Sequence, residues 1–266
     1  MLLPILVAAT QPVAAPAPAP APAHANVVVD LVAGADGRRC LPDNSLCLEV
    51  PATEEGGAAG ASLIVASPSS DNSDTIALPF GADELAGLWP RLIVVPQGAE
   101  AENPERRQYL VGIVTEERAM YSGGGGSGSR LHLLRLDRNA DGVSLGAEVL
   151  DTVWDSSLMI RACFSEQDMK NRLEACHDEY SFTGALAAAA PDGGELPALT
   201  LQTTATAYPH TSRRTEDNSN IKLKKSDLTH WKDPECSYTR LLHYNPATAR
   251  YEMDRPAPDC SVYTTP

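Results

Sequence analysis

The 266-residue chain carries 35 acidic against 21 basic side chains, a formal net charge of −14. That balance excludes a protein built for nucleic acid, because phosphate contacts need a basic face that displaces condensed counterions. Apolar residues make up 43% of the chain and aromatics only 5%, and no apolar run reaches the ~18 residues of a membrane-spanning helix, so the core has to be made from Leu, Ile and Val.

Met1 to Ala9 is an apolar run, followed by a Pro-Ala tract that ends Ala23-His24-Ala25. A small-x-small triplet behind an apolar stretch is what signal peptidase cuts, so residues 1–25 are expected to be a signal peptide and 26–266 an exported region, periplasmic or secreted. No transmembrane anchor is expected after cleavage. Cysteine usage points the same way: six residues fall in three close pairs, Cys40 with Cys47, Cys163 with Cys176 and Cys236 with Cys260. An even count in an exported chain reads as a disulfide framework. No pair has the Cys-x2-Cys spacing of a zinc ribbon. The first pair is symmetric about Asp43-Asn44, two good turn residues, which predicts a hairpin with the cysteines opposite one another.

Short β-branched or alternating runs then recur along the chain: Val27 to Val32, Ala61 to Ala66, Thr75 to Leu78, Arg91 to Val95, Tyr109 to Val114 and Leu131 to Leu136. Clusters of Gly, Pro, Asn, Asp and Ser separate them, the pattern of strands and turns. One large β-domain and two smaller subdomains are both open at this length, and the polar stretch 98–106 is where a boundary between two would fall. Tyr121 to Ser129 contains four consecutive glycines and reads as a flexible connection, since a phosphate-cradling loop would carry a Lys and open a helix.

Asp137, Asn139, Asp141 and Glu148 fit positions one, three, five and twelve of a calcium loop, with Gly142 at position six. A hard cation needs such a cluster of oxygens around a tight turn, so calcium is the candidate cofactor. Leu145 stands where a loop between strands would want an acid, and a polar hairpin turn is the competing reading. Strands resume at Val149 to Trp154 and Leu158 to Phe164. One helix is expected over 166–174, capped by Ser165; it must stop early, because a helix running to Cys176 would hold that cysteine too far from Cys163.

Cys176 is followed by His177-Asp178-Glu179, a polar cluster in which His177 and Glu179 share one face of a strand. Strands follow at Tyr180 to Leu186 and Leu199 to Ala207. The basic group Arg213, Arg214, Lys222, Lys224 and Lys225 has the composition of a solvated, mobile loop. Two alternating runs flank the turn at Asn245-Pro246 and complete an all-β chain with one short helix: antiparallel sandwich, barrel or propeller-like sheets. With no nucleophile or metal-hydrolase motif, the preferred reading is a non-catalytic exported module that binds a protein or an envelope ligand. The alternative is a periplasmic hydrolase whose carboxylates converge only in the fold.

Overall fold

The computed structural model describes residues 27–34, 37–52, 60–66, 73–81, 85–96, 107–139 and 142–266. The expected signal peptide and the 98–106 boundary lie outside the described residues. In chain order the strands are Val28–Asp30 (β1), Val32–Ala33 (β2), Arg39–Cys40 (β3), Cys47–Glu49 (β4), Ser62–Ala66 (β5), Ser73–Ala77 (β6), Leu85–Val94 (β7), Arg107–Tyr121 (β8), Gly124–Asn139 (β9), Gly142–Arg161 (β10), His177–Ala188 (β11), Leu199–Tyr208 (β12), Trp231–Lys232 (β13), Thr239–Asn245 (β14) and Arg250–Met253 (β15). Two short helices, Glu166–Asn171 (α1) and Ser261–Thr264 (α2), complete the all-β architecture.

Every pairing is antiparallel. A 10-stranded sheet runs β1-β7-β8-β9-β10-β11-β12-β14-β15 with β13 beside β12, and a 5-stranded sheet runs β2 to β6 in sequence order. The strands on either side of 98–106 lie in one ladder, with Val94 opposite Tyr109.

Strands β7 to β9 are covered on both faces, which explains why their sequences read as nearly continuous apolar runs. Tyr109, Val111 and Ile113 of β8, with Leu134 and Leu136 of β9, meet Leu48, Leu63 and Val65 of the small sheet in one core. The alternate residues, Leu110, Leu131 and Leu133, form a second core with Leu186, Leu199, Leu201, Leu242 and Tyr251. A core that takes residues from β7 and from β15 requires the large sheet to curl on itself. Arg250 of β15 reaches Glu148 of β10 at 3.1 Å, and Arg135 of β9 reaches Glu195 at 2.8 Å across the same curve. A third core gathers Leu158, Tyr180, Phe182, Ala205 and Ala207 under α2, whose Tyr263 packs among them.

Four expectations change. The glycine stretch is not a connection: Gly124 opens β9, paired on one side with β8 and on the other with β10. A Cβ at Gly124 would lie 2.0 Å from the Met159 carbonyl oxygen, and one at Gly128 would lie 3.0 Å from the Thr264 carbonyl oxygen. The strand is glycine-rich because neighbouring backbone approaches closer than a side chain allows. The runs 149–154 and 158–164 fall on one strand, β10, which ends at Arg161 and whose register slips between Val153 and Asp155. A bulge of this kind accommodates one extra residue, Trp154, without breaking the strand.

Helix α1 keeps its Ser165 cap but ends at Asn171, with Leu173 (φ 51) and Glu174 (φ 68) in the left-handed region. The chain there doubles back so that Cys163 and Cys176 come to 4.8 Å between Cα atoms. The basic segment is also tied down: Arg213 stacks on Trp231 at 4.2 Å, and Arg214 donates to the Val262 and Thr265 carbonyls. All three disulfides join the expected pairs, 40–47, 163–176 and 236–260. With no helix among the described residues long and apolar enough to cross a membrane, this framework fits an oxidising compartment.

Candidate functional site

The pleat separates the described residues of the expected calcium loop. Asp137 stands opposite Gln108 and accepts from its Nε2 at 2.7 Å, and alternation puts Asn139 on the same face of β9. Glu148 pairs in register with Leu134, three residues away along β9, so it emerges on the opposite face. Asp141 lies outside the described residues. Of the described members, Asp137 and Asn139 therefore stand on one face of the sheet and Glu148 on the other.

The 177–179 cluster divides in the same way. His177 and Glu179 are exposed on β11 while Asp178 points inward and is 2% exposed. Its carboxylate accepts from Arg172 Nη2 and from Ser212 Oγ at 2.6 Å. Arg172, itself fully buried, also donates to the carbonyls of Ala175 and Asn218. This is a structural ion pair that joins the end of α1 to β11 and to the 211–220 segment.

Two other constellations are built on strands β8 to β10, one on each face. The first surrounds His132, set in the apolar run Leu131-His132-Leu133-Leu134. Its Nε2 is 3.0 Å from Thr115 Oγ1, its Nδ1 is 2.9 Å from Glu148 Oε2, and Asp151 Oδ1 lies 3.7 Å from Nδ1. Phe80 packs over the imidazole at 4.8 Å between ring centres. Glu148 and Asp151 are three residues apart and would ordinarily face opposite ways. The register slips between Glu148 and Leu150, and the additional residue, Val149, turns both carboxylates toward His132. Arg250 holds the far oxygen of Glu148, and Arg130 binds Asp151 at 2.7 Å.

The second is a groove of about 440 Å³ between the first half of β7 and the β10 bulge. Leu85, Leu88, Pro90 and Val114 supply apolar wall, with Trp89 and Trp154 edge to face at 5.8 Å. Glu116, Ser129 and Asp155 stand in one row across β8, β9 and β10, which puts the two acids on one face with Cα atoms about 9.5 Å apart, two strand spacings. Ser129 Oγ donates to the Asp155 carbonyl and accepts from its N–H, both at 3.1 Å, and so satisfies the backbone that the bulge frees.

Glu116 is held by Arg118 through both oxygens, at 2.8 and 3.2 Å. Asp155 has no ion-pair partner among the described residues. Partial burial raises its carboxyl above the ordinary aspartate value; a Thr183 hydrogen bond opposes the rise and the Glu116 charge adds to it.

Neither constellation is visible in sequence spacing, since each needs a β10 bulge to form. The one signal was His132, a lone polar residue inside a run that has to be buried on both faces. No protein-family model, curated protein or solved structure matches the chain.

Proposed function

We propose that the chain is an exported, non-catalytic binding module, periplasmic or secreted, whose β7–β10 groove takes a small ligand carrying an ammonium or guanidinium group on an apolar body. The observation that supports this reading is Asp155: a carboxylate without a cationic partner among the described residues, beside a second acid, in a groove with apolar walls. Such a carboxylate gains most from a donor that brings positive charge. Leu85, Leu88 and the edge of Trp154 offer the apolar body a place to leave water.

A charge-assisted hydrogen bond to Asp155 contributes about 1.5–3 kcal/mol, so Asp155→Asn should weaken binding roughly 10- to 100-fold. Binding should also strengthen as pH rises through the elevated Asp155 value, because only the ionised form attracts the cation. The experiment is a titration of the disulfide-bonded protein with benzylammonium and with its neutral analogue benzyl alcohol, followed by NMR shifts at the Trp154 and Asp155 amides. Preference for the amine, lost in Asp155→Asn, is the expected result. Equal affinity for the two probes, or shifts confined to residues outside the groove, would refute it.

The hydrolase reading draws on the same pair of acids, with Asp155 as the proton donor. It predicts turnover of a glycoside or ester probe that Glu116→Gln abolishes. The binding reading predicts none.

A further inference from the structure

We infer that His132, Glu148 and Asp151 form a binding site for a transition-metal dication, with zinc the best fit. The three candidate donor atoms, one on each side chain, lie within 4.8 Å of one another. Their separations from His132 Nδ1, 2.9 Å to Glu148 and 3.7 Å to Asp151, bracket the ~3.3 Å edge of a tetrahedron with zinc–ligand bonds of ~2.0–2.1 Å. Small side-chain adjustments would therefore bring all three to bonding distance of one ion. Calcium is a poor match, since it takes six to eight oxygens.

The surroundings are those a metal ligand set needs. An imidazole that binds metal through Nδ1 must keep its proton on Nε2 and donate it, and Thr115 Oγ1 is 3.0 Å from that nitrogen. Without a metal the same hydroxyl can turn and donate to Nε2 while Nδ1–H bonds Glu148, so neither state leaves the buried ring unpaired. Arg250 on the outer oxygen of Glu148 fixes that carboxylate with its inner oxygen toward the histidine. His132 is 9% exposed, whereas Glu148 borders a cavity of about 470 Å³ that Phe80 and Leu145 also line. Three protein ligands beside such a cavity leave a fourth position for water or a small anion.

Arg130 is the competing cation. It binds the Asp151 oxygen that lies toward the histidine, and a metal ion has to share or displace it. Removing this charge should raise metal affinity, which a cluster serving only to stabilise the sheet has no reason to show.

The experiment is calorimetric titration of the intact, disulfide-bonded protein with zinc and, separately, calcium, together with the visible spectrum of the cobalt form. One zinc per chain is expected, with little calcium binding and an intense tetrahedral cobalt band. Affinity should fall at least tenfold in Glu148→Gln, fall 10- to 100-fold in Thr115→Val, and rise in Arg130→Gln. His243→Ala, which removes an exposed histidine 2.6 Å from Asp192, should change nothing. If Glu148→Gln is poorly folded by circular dichroism, Thr115→Val and Arg130→Gln carry the test. Absence of zinc binding, or binding that is insensitive to Thr115→Val and Arg130→Gln, or that disappears in His243→Ala, would overturn the assignment.

Discussion

Arg172 is a fully buried cation in an acidic protein, and its cost is offset only because each nitrogen has an acceptor: Ala175 O, Asn218 O and Asp178 Oδ1. Desolvating two charges makes the intact pair a modest contributor, yet removing one partner strands the other. Arg172→Met leaves Asp178 with the Ser212 hydroxyl alone and should cost about 3–5 kcal/mol, a fall in melting temperature of roughly 6–20 °C for a domain of this size. Arg172→Met with Asp178→Leu should recover much of that loss. Thermal unfolding of the two variants checks the pair; a double variant as unstable as the single would show that packing, not stranded charge, sets the penalty. In sequence, Asp178 was indistinguishable from its neighbours His177 and Glu179. What separates them is strand alternation combined with a partner six residues upstream, held at a turn that the sequence does not specify.

At the scale of the element, strands built from β-branched and Leu-rich runs were legible because burial on one or both faces leaves a period of two or none. The glycine half of β9 was not. Its composition is that of a linker, and only close neighbours give each missing Cβ a reason: the Met159, Ala119, Ser157 and Thr264 carbonyls beside Gly124, Gly125, Gly126 and Gly128. Bulges have no composition of their own, so the merging of two short runs into β10 and the grouping of Glu148 with Asp151 were equally hidden.

Helix α1 was legible through its cap, and its early end is where the sequence and the local geometry disagree most. Glu174 is exposed with φ 68, a conformation that costs an L-residue on the order of 1 kcal/mol or more and glycine nothing sterically. After the larger unfolded-state entropy of glycine is subtracted, Glu174→Gly should stabilise the protein by about 0.5 kcal/mol. Urea denaturation would register this as a higher midpoint at unchanged slope. A lower midpoint would mean that the Glu174 side chain supports the turn.

For the whole molecule, the titrating groups fall into two sets with opposite signs. Hydrogen bonds at turns and caps lower several aspartates: the Ser45 and Ser219 side chains act first on Asp43 and Asp217, and His243 acts on Asp192. The backbone N–H groups of Phe164, Lys224 and Ser261 do the same for Asp168, Asp227 and Asp259. A lowered folded-state value contributes stability that is complete above the unfolded aspartate value of about 3.9 and is lost as pH falls through the folded one. Burial raises the phenols of Tyr180, Tyr251 and Tyr263 instead. Their contribution is complete below the unfolded tyrosine value of about 10 and disappears as pH climbs through the folded values. Among the described residues, Asp155 is the one shifted carboxylate that runs against the acid trend. Stability should therefore be flat from about pH 5 to 9 and decline on both sides. Denaturant midpoints at pH 3, 7 and 11 test this, and a midpoint at pH 3 equal to that at pH 7 would contradict it.

The order of the large sheet has a consequence for how the molecule comes into being. From β8 to β12 each strand pairs with the strand just before it in the chain, so a polypeptide emerging N-terminus first can add each of these strands to an edge already in place. Loop closure is brief at each step, which favours rapid, progressive zippering over a search among distant partners. Until β14 and β15 arrive, the growing edge exposes unpaired backbone, the surface through which chains aggregate. Residues 261–266 emerge after those strands, and they place Thr264 and Pro266 against Gly128. The Gly128 position of β9 thus stands open while the sheet assembles and is covered only by residues that follow β15.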